Sequence, residues 1–326
     1  MKTILITGGA GFIGFHLARK LIDRGDRVVI ADNFSRASLD PHLSALARHP
    51  HCILKSVDLT QQPPLPADAD AVVHLAAIVG VQNVIAQPME VLSTNVTALR
   101  EVLAQASQFR NLQNFVFAST SEVYAGSVAT ECAQIPTPED TQLTITDPGD
   151  PRATYMLSKI YGEAMCLSSG LPVTVVRPHN IYGPRMGLAH VIPELLKQAW
   201  FADSGSSLYV ASVEHSRTFC FIADAVSYLT ALLDRPGTGS IYNLGRQEPE
   251  ILIGDLAQLI IEIVGKRLTI EALPATHGSP ARRAPDMRSL IQLTGIQPVC
   301  DLESGIQHTL DWYRENIFVH GEGVSQ

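Results

Sequence analysis

Cysteine is scarce in this chain. There are five in 326 residues, Cys52, Cys132, Cys166, Cys220 and Cys300, with no CxxC pair and no Cys/His group at zinc-ligand spacing. That excludes a disulfide framework and a zinc module, and no metal is expected. The thiols read as reduced core residues of a cytoplasmic protein. Positive charge is also short, with 24 Lys+Arg against 32 Asp+Glu and a net charge of -8. Nucleic acid is therefore not expected as a partner, although a local basic pocket can still hold phosphate. No apolar run is long enough to cross a bilayer, and "MKTILITGG" has no signal-peptide core, so membrane attachment is not expected. Charged residues are few, 17%, against 46% hydrophobic, which supports a sizeable core rather than disorder. The length suits one large domain or a domain with a smaller lobe.

Short β-branched runs alternate with amphipathic stretches. "TILIT" (3–7), "RVVIAD" (27–32), "AVVHLAA" (71–77), "NFVFAST" (114–120) and "PVTVVRP" (172–178) read as strands. Residues 12–24, 89–107 and 153–168 read as helices, and "SIYNLG" (240–245) as a returning strand. Nearly continuous apolar strands between helices predict an α/β fold, a Rossmann-type doubly wound parallel sheet covered on both faces. Residues 179–217 and 246–320 predict a smaller mixed α/β lobe that holds substrate. Residues 1–178, with a return segment near 218–245, predict the cofactor-binding part. The closing "GEGVSQ" is expected to fray.

"GGAGFIG" follows the first strand and opens the first helix, with Gly8, Gly11 and Gly14 in a GxxGxxG spacing. Glycines here allow a tight turn, close approach of backbone to a pyrophosphate, and close helix–strand packing. The helix N-terminus then faces the phosphate charge. Asp32 ends the second strand, where a carboxylate accepts from ribose hydroxyls and repels a 2′-phosphate, so NAD is favoured over NADP. Asp58 follows the third strand, placed to meet the adenine amino group. His74 ends the fourth before Leu75, Ala76 and Ala77, small enough for a cofactor to lie against the strand ends. A lone histidine such as His74 is more often a satisfied core residue than a ligand.

Tyr155 and Lys159 in "TYMLSKIYGE" share a helix face at i,i+4 spacing. A nearby ammonium is expected to lower the tyrosine pKa, and Thr120 is the hydroxyl expected to share a substrate proton with Tyr155. At these residues the chain resembles the extended short-chain dehydrogenases/reductases of the nucleotide-sugar epimerase/dehydratase type. The resemblance rests on "TGGAGFIG", "ADNF", "HLAA", "STSEVY", "YMLSK", "RPHNIYGPR" and "RTFCFIADAV", and spans nearly the whole chain. One departure is Ala125, where the family has glycine; Gly126 follows, so the turn is expected to shift by one residue.

The resemblance implies NAD that stays bound, a nucleoside-diphosphate sugar as substrate, and a homodimer. It implies cofactor contacts from Gly8, Gly11, Phe12, Ile13, Gly14, Asp32, Asn33, Asp58, Leu59, Leu75, Ala76, Ala77, Asn95, Tyr155 and Lys159. Tyr155 would take a proton from a sugar hydroxyl, usually at C4, as hydride leaves to NAD. Once C4 is a ketone, C–H bonds at C3 and C5 are acidic. Glu122, two residues beyond Thr120, would lie on the same side and remove such a proton. His190 in "HVIPELL" resembles an acid/base partner in related epimerases. Thr120, Tyr155, Lys159, Glu122 and His190 are thus the expected catalytic set. Ser121, His179, Asn180, Arg185, His190, Val191, Arg217 and Arg282 are the expected substrate contacts, Arg217 and Arg282 as forked donors to a diphosphate. One Arg of the Arg282/Arg283 pair is expected at that diphosphate and the other at the surface.

The first reading is an NAD-dependent epimerase of a nucleoside-diphosphate sugar. The alternatives are a nucleotide-sugar 4,6-dehydratase or a UDP-glucuronate decarboxylase. More distant ones are an NAD-exchanging dehydrogenase and a non-catalytic NAD-binding regulator. The apolar face of Val91, Leu92, Val96, Leu99, Val102 and Leu103 suggests an intersubunit helix bundle, though core contact explains it equally.

Overall fold

The computed structural model describes residues 1–276 and 278–320. The closing "GEGVSQ", expected to fray, lies outside the described residues. Seven strands form one all-parallel sheet: β1 (Thr3–Thr7), β2 (Arg27–Asp32), β3 (Cys52–Ser56), β4 (Ala71–His74), β5 (Asn114–Ala118), β6 (Val173–Pro178) and β7 (Ser240–Leu244). Their order across the sheet is β7-β6-β5-β4-β1-β2-β3. The strand order reverses between β1 and β4, so a crevice opens there beyond the carboxyl ends of the strands. The register brings Thr7 beside both Ala31 and His74, and Ala118 beside Val176, so the strand ends share one edge.

Alternation along each strand feeds two cores. Ile4, Ile6, Val28 and Ile30 face one side, under the packed helices Phe12–Asp23 and Ile222–Leu233. Leu5, Val29, Phe115 and Phe117 face the other, under Pro88–Ala106 and Ala153–Leu167. Helix Phe12–Asp23 buries Leu17, Leu21 and Ile22, each worth about 1.5–3 kcal/mol against exposure. Pro88 opens its helix at the first turn, where its missing N–H costs nothing.

After β6 the chain leaves the sheet. Ile181–Tyr182 pairs with Cys220–Phe221, and Ser207–Ala211 pairs with Thr269–Leu273, both in parallel. Ser216–Arg217 sits between Ile251–Leu252 and Arg282–Arg283. Helices Val191–Phe201, Ile253–Val264 and Leu302–Asn316 cover these pieces. Their apolar residues Ile192, Leu196, Ile260 and Leu310 belong to the same buried cluster as Ile4 and Leu17, so this region and the sheet share one core. Of the expected intersubunit face, Val91, Leu99, Val102 and Leu103 are buried inside their own chain. Met89, Tyr161 and Leu167 are the large apolar groups these two helices leave exposed.

Candidate active site

The crevice between β1 and β4 is built for close backbone approach. Gly8 has φ +68, and a Cβ there would stand 2.6 Å from the Ala76 nitrogen. A Cβ at Gly14 would stand 2.5 Å from the Gly9 Cα, so the helix packs on the turn only without a side chain. Gly11 is the N-cap of helix Phe12–Asp23 and offers no side-chain cap, so the first-turn N–H groups are open to an anion. Asp32 accepts from the Ala10 nitrogen at 3.1 Å and the Phe34 nitrogen at 2.9 Å, tying the glycine turn to the next loop. Its carboxylate keeps further lone pairs for ribose hydroxyls. Phe12 and Ile13 are half-buried on the first helical turn, and Asn33 is exposed beside Asp32. Asp58 caps a short turn by accepting from Thr60, and Leu59 beside it is buried. Asn95 grips the Ile78 backbone through both amide atoms and donates to Ser158, holding the segment after Ala77 against the helix of Tyr155. A dinucleotide fits this cradle.

Thr120 follows β5, with its hydroxyl near enough to that of Tyr155 to favour the phenolate. Thr120 also accepts from the Glu122 nitrogen at 3.2 Å, which fixes the start of the turn Ser121–Tyr124. Lys159 is buried, donates to the Ala118 carbonyl at 2.8 Å, and lies 5.8 Å from the Tyr155 ring centre. The expected lowering of the Tyr155 pKa is not what this geometry produces. Burial drives it up, Glu122 adds to that, and the Thr120 hydroxyl and the Arg36 charge pull the other way. Desolvation of the phenolate is the largest of these effects. Burial also lowers Lys159 itself to about 8. His74 is a core residue, bonded to Thr7 at 2.9 Å and stacked near Phe115 and Phe117. A Cβ at Gly126 would run into the Thr144 carbonyl, so the glycine requirement has moved one place past Ala125, as expected.

Glu122 meets Arg283 in an ion pair at 2.8 Å. The Arg283 charge holds its carboxyl below the ordinary value against the opposing effect of burial, and Arg152 and Arg217 act in the same direction. Ser121 is buried, with its hydroxyl 3.4 Å from Arg283. One guanidinium, Arg283, thus meets this carboxylate, and the charges of two more act on it. Arg282, expected at a diphosphate, instead pairs with Glu250 at 2.5 Å and is half exposed. Adjacent strand residues point to opposite faces, so only one of the two arginines can turn inward. That one is Arg283.

Other expected contacts are placed differently. Arg185 does not face Glu122. It bonds Asp40 at 2.6 Å and the Ala10 carbonyl at 2.8 Å, and lies over the Phe15 ring. Arg217 donates to backbone at Ser216 and Pro280 and to Ser279, holding the loop that precedes Arg283. His179 is fully buried against Asn243 at 3.1 Å, and burial lowers it to about 3, so it is a neutral core group rather than a substrate contact. Asn180 holds a positive φ of 39 and donates to the Thr218 carbonyl. His190 is the exposed N-cap of helix Val191–Phe201, and half-buried Val191 follows it. Although much of its side chain reaches solvent, partial desolvation of the ring and the Arg36 charge lower the His190 pKa. Arg36 also acts on Tyr155 and was not singled out in the sequence; its place four residues after Asp32 was the available signal.

The fold and this site define an NAD-dependent enzyme of the extended short-chain dehydrogenase/reductase type. The model of the NAD dependent epimerase/dehydratase family matches residues 4–245, and the chain belongs to that family. It is 33% identical to a UDP-N-acetyl-alpha-D-glucosaminuronate decarboxylase of Bacillus cytotoxicus, over 96% of this chain and 98% of the relative. It is 32% identical to UDP-glucuronic acid decarboxylase 1 of Xenopus tropicalis, over 97% of this chain and 73% of the relative. The crystal structure of UDP-glucuronic acid 4-epimerase from Bacillus cereus, in complex with UDP-glucuronic acid and NAD, shares the fold. Its TM-score is 0.82 at 24% identity, over 96% of this chain and 99% of that one.

Proposed function

We propose that the protein is an NAD-dependent decarboxylase of a UDP-uronic acid. The observation that carries this reading is the Glu122–Arg283 pair, on which the Arg152 and Arg217 charges also act and which itself acts on Tyr155. Removing a proton from C3 or C5 needs a base whose pKa approaches that of its task. Glu122 is moved the wrong way for that work. The Arg217 charge beside the Glu122–Arg283 pair instead suits a substrate that is anionic at its sugar as well as its diphosphate. The full-length likeness to decarboxylases points the same way. Decarboxylase thus replaces epimerase as the first reading, and Glu122 becomes a group that orients the arginines.

The chemistry NAD supplies when bound is reversible acceptance of hydride from the sugar's C4. Thr120 and Tyr155 share the hydroxyl proton that C4 gives up. The 4-keto uronate is a β-keto acid. Its C5–C6 bond breaks, the electron pair moves onto the C4 carbonyl as an enolate, and carbon dioxide leaves. C5 then takes a proton that exchanges with solvent, and Tyr155 returns its proton to the C4 oxygen as the hydride first taken from C4 would be given back to it, so that no net oxidation remains. Lys159, held by Ala118, keeps a positive charge beside this relay. Gly8, Gly11 and Asp32 frame the NAD crevice, and Arg283, Arg152 and Arg217 meet the substrate's anionic groups. Residues 1–178 with 218–245 serve the cofactor, and 179–217 with 246–320 the sugar nucleotide. A homodimer would use the exposed Met89, Tyr161 and Leu167 face.

The test is incubation in heavy water with UDP-glucuronate and UDP-N-acetylglucosaminuronate, each labelled with ¹³C at C6, and with the neutral UDP-glucose alongside. Labelled carbon dioxide and a pentose product with deuterium at C5 support the reading. An isomer that retains C6 restores the epimerase. A 4-keto-6-deoxy product from a neutral sugar nucleotide assigns the dehydratase.

A further inference from the structure

Behind Thr120 and Lys159 lies a buried polar network. Glu163 sits on helix Ala153–Leu167, one turn beyond Lys159 and two beyond Tyr155, so the three share one face. It is 4% exposed. Arg177 on β6 grips its carboxylate with two bonds, Nε to Oε1 at 2.9 Å and Nη2 to Oε2 at 2.7 Å. Ser119, between Ala118 and Thr120, donates to Oε1 at 2.5 Å. Arg177 also donates to the Tyr124 hydroxyl at 2.7 Å, which donates to Asn243 on β7 at 3.0 Å. One carboxylate thus joins the helix of Tyr155 and Lys159 to the ends of β5 and β6.

We propose that Glu163 is a positioning residue for the reaction. It aims Thr120 through Ser119 and places an anion beside the buried Lys159. The proposal rests on the reading of Thr120, Tyr155 and Lys159 as the catalytic set. Stability alone does not call for such a pair, since buried ion pairs are often replaceable by apolar residues without loss. Lys159 is the group that needs it. Tyr155, Glu163 and Cys166 face Lys159 from its own helix, His74 from the end of β4, and Arg177 stands beyond Glu163. Burial raises Cys166 to about 12 and lowers His74 to about 3, so both are neutral near pH 7. Tyr155 is a phenol there. The Glu163 carboxylate is the charge that opposes desolvation of the Lys159 ammonium.

The test compares Glu163→Gln, Glu163→Asp and the double variant Glu163→Gln/Arg177→Met in the NAD-loaded protein. Lys159 is titrated by ¹⁵Nζ NMR, with Lys159→Met to assign its signal, and kcat/KM is followed against pH. Glu163→Gln is expected to lower the Lys159 pKa by about 1 unit or more. The alkaline limb of kcat/KM then moves down by the same amount. Glu163→Asp keeps the charge and is expected to restore the limb. The double variant leaves no stranded guanidinium, so it carries the test if Glu163→Gln does not fold, with a smaller downward shift expected because the opposing Arg177 charge goes too. An unmoved titration with a pH-independent fall in activity overturns the proposal. So does failure of both neutral variants to fold, which makes Glu163 purely structural. The NMR titration needs no substrate, so it stands even if the decarboxylase reading fails.

Discussion

Gly8 and Gly265 offer a controlled comparison. Both are left-handed, with φ +68 and +72. Around Gly265, the C-cap of helix Ile253–Val264, an added Cβ meets nothing within 4 Å. At Gly8 the same atom would stand 2.6 Å from the Ala76 nitrogen, 2.8 Å from its Cα and 2.9 Å from the Leu75 carbonyl carbon. All three are backbone atoms that cannot swing aside. Gly265→Ala therefore costs only the left-handed penalty, about 1–2 kcal/mol. Gly8→Ala adds overpacking of about 1–3 kcal/mol, for a total of about 2–5 kcal/mol. The extra cost falls where β1 and β4 frame the dinucleotide crevice, so NAD affinity should fall at least roughly tenfold, about 1.4 kcal/mol. Denaturant unfolding and NAD titration of both variants measure the two quantities separately. The reasoning fails if the variants lose equal stability and Gly8→Ala binds NAD like the unmodified protein.

Further outcomes follow from the same structure. Tyr155→Phe should lower kcat roughly 100- to 10,000-fold while its thermal midpoint stays near that of the parent, checked by steady-state kinetics and calorimetry. Arg283→Met should raise the Glu122 pKa, since Arg283 is the main cause of its depression. The stability that pair contributes is full above the ordinary carboxylate value of 4.5 and is lost as pH falls through the depressed value. The melting temperature of Arg283→Met should thus depend less steeply on pH below 4.5 than the parent's. His74 is neutral when folded, at about 3 against 6.5 unfolded. Its contribution is complete above 6.5 and shrinks by up to about 1.4 kcal/mol per pH unit below it. His74→Asn should flatten the loss of stability between pH 6.5 and 4, as read by denaturant unfolding.

Much of this molecule is written in local pattern. "TILIT" and "RVVIAD" are strands at their expected limits, because β-branched runs between turn signals leave few other choices. The 12–24, 89–107 and 153–168 helices shift by a single residue at their ends. GxxGxxG between a strand and a helix places the crevice, and i,i+4 spacing places Tyr155 and Lys159 on one face. The Tyr155 pKa was not legible, because its direction depends on how far the folded chain removes the phenol from water and on which charges meet it.

What tertiary structure decided are the choices between chemically equal side chains far apart in the chain. Sequence offered Arg282 and Arg283 alike; pairing of that two-residue strand with Ser216–Arg217 sends one to Glu250 and the other to Glu122. Arg185 reads as a substrate contact until Asp40 and the Ala10 carbonyl claim it across the fold. Glu163 and Arg177 carry no signal of partnership until helix Ala153–Leu167 docks on β6. Periodicity and turn chemistry act within a few residues and so determined the sheet, the glycine turn and the Tyr155–Lys159 pair. Ion pairing acts across space, and only the folded chain sets which charges meet.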